Sequence, residues 1–122
     1  GGIFVGLRGD AEGRLVALIL ADQQPDKRKP WAAASKWAKT VEADGHADFA
    51  LPDRQELRLL MANAREHFEP DGYWSSETNG SYAWTQHFCY GHQYDSPKSY
   101  EGQARAVRRF VLQSFDPSAA AA

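Results

Sequence analysis

Side chains that can bind a soft metal ion lie close together in the last third of the chain. His87 and Cys89 share one strand face at a spacing of two residues, and His92 follows the next turn. A structural zinc site takes four ligands, and no fourth partner accompanies these three, because Cys89 is the single cysteine of the chain. The sequence therefore predicts neither a metal site nor a bound cofactor.

Nucleophilic catalysis is the second chemistry that the side chains suggest. Ser75 or Ser76 can be combined on paper with His87 and Asp95. In many hydrolases, however, the serine sits on a sharp turn between a strand and a helix, with a glycine-rich loop that binds the oxyanion. The sequence shows neither feature, so it predicts a domain without catalytic activity. An enzyme of unknown type remains the alternative.

A third group of side chains suits binding without chemistry. Tyrosine rings supply contact area at a small cost in conformational entropy, and neighbouring polar groups supply adaptable hydrogen bonds. Such residues are concentrated on turns and on a short strand near the end of the chain. We predict a ligand-binding surface made of Asn79, Tyr90, His92, Tyr94, Asp95, Lys98 and Tyr100. The alternative is that these rings only pack the loops.

Length and composition limit the class of protein. The chain has 122 residues, of which 43% are hydrophobic, and this fits one compact domain with a real core. The formal net charge of -2 argues against a nucleic-acid binder. No apolar stretch approaches the roughly 18 residues of a membrane span, and the first residues lack the pattern of a signal peptide. We predict one domain over residues 1–117, followed by a tail at 118–122 that is disordered or foreign to the domain.

The first half of the chain predicts a strand hairpin and two helices. Apolar runs at 3–7 and 15–21 flank a polar loop with two glycines, and the second run is apolar at every position, as in a central strand covered on both faces. Apolar residues at helical spacing predict helices at about 30–41 and 54–67. Asp53, followed three residues later by a glutamate, predicts a capping box at the start of the second helix.

The second half predicts an aromatic hairpin. Asn79-Gly80 is a dipeptide typical of a tight hairpin turn, and it separates two ring-rich runs. In the second run, Tyr82, Trp84, Gln86 and Phe88 alternate with small or polar residues, so the aromatic face is the one we expect to be buried. Trp74 and Trp84 are accordingly predicted to lie in the core. A short strand at 92–95 follows.

The last predicted strand runs from Ala104 to Phe115. Both of its faces carry apolar residues, which favours a central or nearly central place in a sheet. We expect it to pair with the strand at 15–21. Three arginines of this strand have carboxylates available as ion-pair partners, and they are Arg105, Arg108 and Arg109.

The predicted elements follow in the order strand hairpin, two helices, aromatic hairpin and closing strand. This order, together with four separated stretches, resembles the Lcl C-terminal domain family, also called domain of unknown function 1566. They are Leu-Pro-Asp-Arg-Gln-Glu-Leu at 51–57, Tyr-Trp-Ser-Ser-Glu at 73–77, Tyr-Ala-Trp-Thr-Gln-His-Phe at 82–88 and Arg-Ala-Val-Arg-Arg-Phe at 105–110. Residues 1–7 and 45–52 are similar to the phage and prophage members in particular. The resemblance covers nearly the whole chain.

The resemblance implies an α+β, C-type lectin-like fold, shared with formylglycine-generating enzymes and with the variable proteins of diversity-generating retroelements. Two helices would pack on a small, mostly antiparallel sheet whose first and last strands pair. A formylglycine-generating enzyme needs paired active-site cysteines, which this chain lacks. Glu69-Pro70-Asp71 is similar to a calcium motif of C-type lectins, but Trp84 is followed by Thr85-Gln86, which departs from that pattern.

The resemblance also implies a biological context. The relatives are encoded by phages, prophages and bacteria, so the chain is expected in the bacterial cytoplasm or in a phage virion. In the retroelement-diversified domains, the C-terminal sheet and its loops form the recognition face. The expected partner is therefore a host or virion protein or a cell-surface glycan, and a structural virion component is a further alternative.

Overall fold

The fold is α+β, with two three-stranded antiparallel sheets and two α-helices, and the computed structural model describes residues 1–113. The predicted class is confirmed, but the single predicted sheet is divided into two. The strands are β1 (Gly2–Gly9), β2 (Leu15–Ala21), β3 (Gly72–Asn79), β4 (Tyr82–His87), β5 (Gln93–Pro97) and β6 (Val107–Gln113), and the helices are α1 (Trp31–Ala38), α2 (Arg54–Asn63) and a single 3-10 turn, Arg65–His67.

The first sheet has the order β1-β2-β6. Strand β2 is central and pairs with β6, as predicted, with Leu20 opposite Val107 and Ala17 opposite Phe110. Two other expectations are wrong. Strand β6 lies at the edge of the sheet, and β1 pairs with β2 and not with the last strand. The predicted start at Ala104 is three residues early, and the predicted end at Phe115 lies outside the described residues.

The two faces of the first sheet differ in how they are covered. Helix α2 packs on the inner face, where Leu57 and Leu60 join Leu18 and Leu20 in one buried cluster. On the outer face, the side chains of Phe4, Leu7 and Phe110 are 60%, 48% and 46% exposed. Strand β2 itself is nevertheless buried on both faces, as predicted, because its outer-face residues Ala17 and Ala21 are 4% and 0% exposed. Alternation identifies residues that share a face, but it does not say whether another element covers that face.

Both helices are shorter than predicted. Helix α1 ends at Ala38, and its buried alanines pack on Trp74. Helix α2 ends at Asn63, because Ala64 has φ -139° and the following residues form the separate 3-10 turn. The predicted capping box is confirmed: Asp53 Oδ1 accepts from the Glu56 amide at 2.7 Å, and Glu56 Oε1 accepts from the Asp53 amide at 2.9 Å.

The second sheet has the order β3-β4-β5 and is covered on both faces. Trp74 is fully buried, as predicted, but Trp84 is only half-buried and has the Arg54 guanidinium 3.8 Å above its ring. The predicted burial of the aromatic face of β4 is wrong in part: Tyr82 is 43% exposed, whereas Ala83 and Thr85 on the opposite face are buried. Helix α1 covers the sheet face that carries Trp74, Ala83 and Thr85, so the β4 side chains beneath it must be small. Helix α2 covers the opposite face of the sheet.

Candidate functional site

Four rings lie side by side at the end of the second sheet where β4 turns into β5. His87 and Tyr90 stack with ring centroids 4.7 Å apart, and His92 lies 6.0 Å from each of them in a nearly parallel plane. Tyr94 lies 5.3 Å from His92. Tyr90 is 75% exposed, His92 is exposed, and the other two rings are half-buried. We call His87, Tyr90, His92 and Tyr94 the ring cluster.

The turn that presents Tyr90 is built by His87. Its Nδ1 atom accepts hydrogen bonds from the backbone amides of Cys89 at 3.1 Å and Tyr90 at 3.3 Å. Gly91 completes the turn with φ +83°, a conformation that glycine adopts without strain, and donates its amide to the His87 carbonyl. The Arg65 guanidinium bonds the Cys89 carbonyl at 3.0 Å. The tip of the turn is therefore fixed from both sides.

Tyr94 is positioned by a glycine on β3. A Cβ atom added to Gly72 would lie 2.5 Å from the Tyr94 hydroxyl oxygen, so the phenol ring reaches across β4 and rests where Gly72 has no side chain. The backbone of Tyr94 is held by the Thr85 hydroxyl, which donates to its carbonyl at 2.8 Å. Gly72 therefore makes the room that lets Tyr94 join the ring cluster.

Gly72→Ala tests this arrangement. We expect the new methyl group to push the Tyr94 ring away, with the free energy of unfolding changed by about 1 kcal/mol or less, because the obstructing atom is the end of a half-buried side chain. The ring resonances of Tyr94 and His92 should shift in an NMR spectrum. Gly102→Ala is the matched control, because its Cβ would meet the buried Trp74 indole at 2.8 Å, and it should cost about 1 to 3 kcal/mol. Unshifted rings in Gly72→Ala would contradict this account of Tyr94.

The seven residues predicted from sequence do not form one surface. Tyr90, His92 and Tyr94 come together in the ring cluster, and His87 joins them. Asp95 is exposed but lies opposite Trp84, on the other face of the sheet from His87 and Tyr94. Asn79, Lys98 and Tyr100 lie toward the other end of the sheet.

At that other end, Asn79 ends a strand, and Lys98 and Tyr100 each contact a tryptophan. Asn79 ends β3 and pairs with Tyr82, before a turn in which Gly80 has φ +61°. The Lys98 ammonium lies 5.0 Å from the centroid of the Trp31 ring, and the Lys98 carbonyl accepts from the Trp31 amide at the start of α1. Tyr100 meets Trp74 edge to face, with centroids 6.4 Å apart.

His87 belongs to the ring cluster, although the sequence analysis considered it only for metal binding and for catalysis. Its position two residues before Cys89 and three before Tyr90 is the available signal, because a side-chain acceptor at that spacing can bond the amides of the turn that follows. The serine, histidine and aspartate considered for catalysis are not brought together, whereas His87 and His92, considered for a metal site, meet in the ring cluster. Ser75 is buried with its hydroxyl bonded to the Glu77 amide and carbonyl, while Asp95 lies on the other face. Within residues 1–113, no three His, Cys, Asp or Glu side chains are placed to hold a metal ion.

A second polar feature, at the N-terminus of α2, is a buried ion-pair network. The Glu56 carboxylate is fully buried and receives the Arg109 guanidinium at both oxygens, and Arg8 at 3.4 Å. Arg8 also bonds Asp53 at 2.8 Å. Burial alone would lower the pKa of Arg8 and of Arg109, but the carboxylates outweigh it and raise both pKa values. The network lines a cavity of about 330 Å³. The predicted acidic partner of Arg109 is confirmed, and it is Glu56.

The two neighbouring arginines differ from Arg109. Arg108 bonds the exposed Asp48 carboxylate at 2.7 Å. Arg105 is buried and bonds the backbone carbonyls of His67 and Ala21, without a carboxylate partner among residues 1–113. Burial lowers the pKa of Arg105 from its ordinary value. The expectation of a carboxylate partner is therefore wrong for Arg105, whose role is to tie the end of the 3-10 turn to β2.

The fold and the site together define an α+β domain with an exposed group of aromatic rings at one sheet end. The family model of the Lcl C-terminal domain matches residues 11–108, and the chain belongs to this family. No curated protein matches the chain significantly. None of the helices within residues 1–113 is long and apolar enough to cross a membrane.

Proposed function

We propose that this domain is a non-catalytic binding module that recognises a macromolecular partner through the ring cluster. The observation that carries the proposal is the exposed, nearly parallel arrangement of His87, Tyr90 and His92 beside Tyr94. A host or virion protein is the favoured partner, because aromatic rings are enriched in protein interfaces. A cell-surface glycan is the second partner to test.

The ring cluster offers contact area to a partner at a small cost in conformational entropy. Each ring has only two rotatable side-chain bonds, and contacts between the rings already restrict them, so little conformational freedom remains to be lost on binding. The turn is held by the His87 Nδ1 atom and by Arg65, which further limits its motion. A rigid, exposed group of rings is the kind of surface on which binding energy concentrates.

We include in this proposal the finer assignments that the family resemblance implies. The fold is a C-type lectin-like fold in which the second sheet and its loops are the recognition face, and the gene belongs to a phage or prophage. The arrangement of a terminal-strand sheet, two helices and an aromatic second sheet supports this assignment. An enzyme of unknown type and a structural virion component are the competing functions, and the experiment below separates binding from both.

Tyr90→Ala combined with His92→Ala tests the proposal. We expect the double variant to lose about 30-fold or more in affinity, because an aromatic hot spot contributes about 2 kcal/mol or more to binding. Its melting temperature should stay close to that of the parent, since both rings are exposed. The measurement is capture of proteins from host lysate and, separately, binding to a glycan array, followed by titration of the captured molecule.

Tyr82→Ala is the matched control, because Tyr82 is also a partly exposed tyrosine of the second sheet but lies outside the ring cluster. Its affinity should equal that of the parent. Unchanged capture by the Tyr90 and His92 double variant would overturn the proposal. Equal losses in the control and in the double variant would do so as well. Turnover of a bound molecule would favour the enzyme instead.

A further inference from the structure

The turn that presents Tyr90 depends on one nitrogen atom of His87. Its Nδ1 atom accepts hydrogen bonds from the backbone amides of Cys89 at 3.1 Å and of Tyr90 at 3.3 Å. A nitrogen accepts through a free lone pair, and a neutral imidazole has one nitrogen of this kind, so its proton lies on Nε2. Because backbone amides can only donate, neither partner can accommodate a proton on Nδ1. The turn therefore fits a neutral His87 and conflicts with a protonated one.

The other hydrogen bonds of the turn do not replace this acceptor. The Gly91 amide donates to the His87 carbonyl at 2.9 Å, and the Arg65 guanidinium donates to the Cys89 carbonyl at 3.0 Å. Both bonds satisfy carbonyl groups and leave the two amides untouched. Among residues 1–113, the amides of Cys89 and Tyr90 bond no acceptor other than Nδ1. Both residues are exposed, so without this acceptor their amides turn to water.

The groups around the His87 ring do not offset a positive charge on it. The titratable and charged groups that face it are Cys89, Tyr90, His92, Tyr94, Arg65 and Asp71. Arg65 adds a fixed positive charge, and His92, 6.0 Å away, adds a like charge when it is protonated itself. The Asp71 carboxylate is already paired with the Arg28 guanidinium. No carboxylate among the described residues forms an ion pair with His87.

We propose that His87 is a switch that makes the ring cluster sensitive to pH. While His87 is neutral, Nδ1 holds the two amides, and Tyr90 stays stacked on the imidazole with ring centroids 4.7 Å apart. When Nδ1 takes a proton from the solvent it becomes a donor, so both hydrogen bonds break and the turn at 89–91 opens. Histidine is the side chain that gains its charge as the pH falls from about 8 to about 5. The turn is therefore closed at the upper end of that range and opens toward the lower end.

The consequence for binding rests on the function proposed above. Tyr90 is 75% exposed, and an open turn no longer holds this ring beside His87 and His92. The affinity for a partner therefore falls as the pH falls. Each hydrogen bond of this kind favours the closed turn about fivefold, so we expect the dissociation constant to rise about fivefold or more from about pH 8 to about pH 5.

An NMR titration of the free protein tests the switch without any partner. The amide protons of Cys89 and Tyr90 should move upfield as the pH falls, because they lose their hydrogen-bond acceptor. Their shifts should follow the same curve as the ring protons of His87. The Lys98 amide, which donates to the Ser81 carbonyl at the other end of the sheet, is the internal reference and should not follow this curve.

His87→Asn keeps an acceptor at this position and removes its response to pH. The new side-chain oxygen is bonded to Cγ, as Nδ1 is, and asparagine oxygens commonly accept from backbone amides of the turn that follows. A side-chain amide does not gain a proton in this range. We expect the Cys89 and Tyr90 amide shifts of the variant to stay constant. His92→Phe is the matched control, because it keeps a ring and removes the neighbouring histidine, and its two amides should still respond.

Three results would overturn the switch. They are amides that stay in place while the His87 ring takes its proton, the parent's pH response in His87→Asn, and loss of the response in His92→Phe. Capture of a partner separates the switch from the proposed function. A turn that opens in a protein that captures no partner supports the switch and rejects the binding module. A turn that stays closed in a protein that captures a partner rejects the switch alone.

Discussion

Replacing Trp74 with alanine will lower the free energy of unfolding by about 3 to 5 kcal/mol. The indole is fully buried among Ala34, Ala38 and Ala83, and small neighbours of this kind cannot move far enough to fill the space it leaves. The Trp74 Nε1 atom also donates a hydrogen bond to the Lys29 carbonyl at 2.9 Å. The substitution would leave that carbonyl without this donor. A urea titration followed by circular dichroism measures the change.

Trp84→Ala is the comparison for this prediction. Trp84 is half-buried, with the Arg54 guanidinium 3.8 Å from its ring, so we expect a loss of only about 1 to 2 kcal/mol. Equal losses for the two tryptophans would contradict the account of which face of β4 is covered. Near-native stability of Trp74→Ala would contradict the position of α1 over the second sheet.

Glu56→Gln will have the second-largest effect, a loss of about 3 kcal/mol in the free energy of unfolding. Glu56 is fully buried and faces two guanidinium groups, so removing its charge leaves Arg8 and Arg109 with a weaker partner. Removing one member of a buried ion pair costs about 3 to 5 kcal/mol, and the lower end applies because both arginines reach solvent in part. The measurement is again a denaturant titration.

Asp48→Asn is the matched control for Glu56→Gln. It removes the same charge from an ion pair with an arginine of β6, but Asp48 is exposed, so the loss should stay at or below about 1 kcal/mol. A larger loss in Asp48→Asn than in Glu56→Gln would contradict the role given to the buried network. The contrast isolates the effect of burial from the effect of charge.

Local signals in the sequence predicted several features correctly. The capping box needs only Asp53 and a glutamate three residues later, because both hydrogen bonds are made within one helical turn. The hairpin between β3 and β4 follows from Gly80, whose positive φ suits a tight turn. The uninterrupted apolar run of β2 predicted its central place and its pairing with β6.

The residues of the ring cluster were predicted less completely. Tyr90, His92 and Tyr94 were identified by composition, but the same reasoning grouped them with Lys98 and Tyr100, which pack at the other end of the sheet. Composition reports that polar rings are present and does not measure the distances between them. The contact between Tyr94 and Gly72 joins β5 to β3 across β4, and no local pattern encodes it.

The sequence by itself therefore determined the elements, their order, the helix cap and the central strand, because these depend on residues close together in the chain. Only the tertiary structure decided that Ala83 is buried and Trp84 half-buried, that β6 is an edge strand, and that four rings meet at one sheet end. The physical reason is that alternation separates the two faces of a strand equally well whether a face is covered or open. Which face is covered depends on helices that lie far away in sequence.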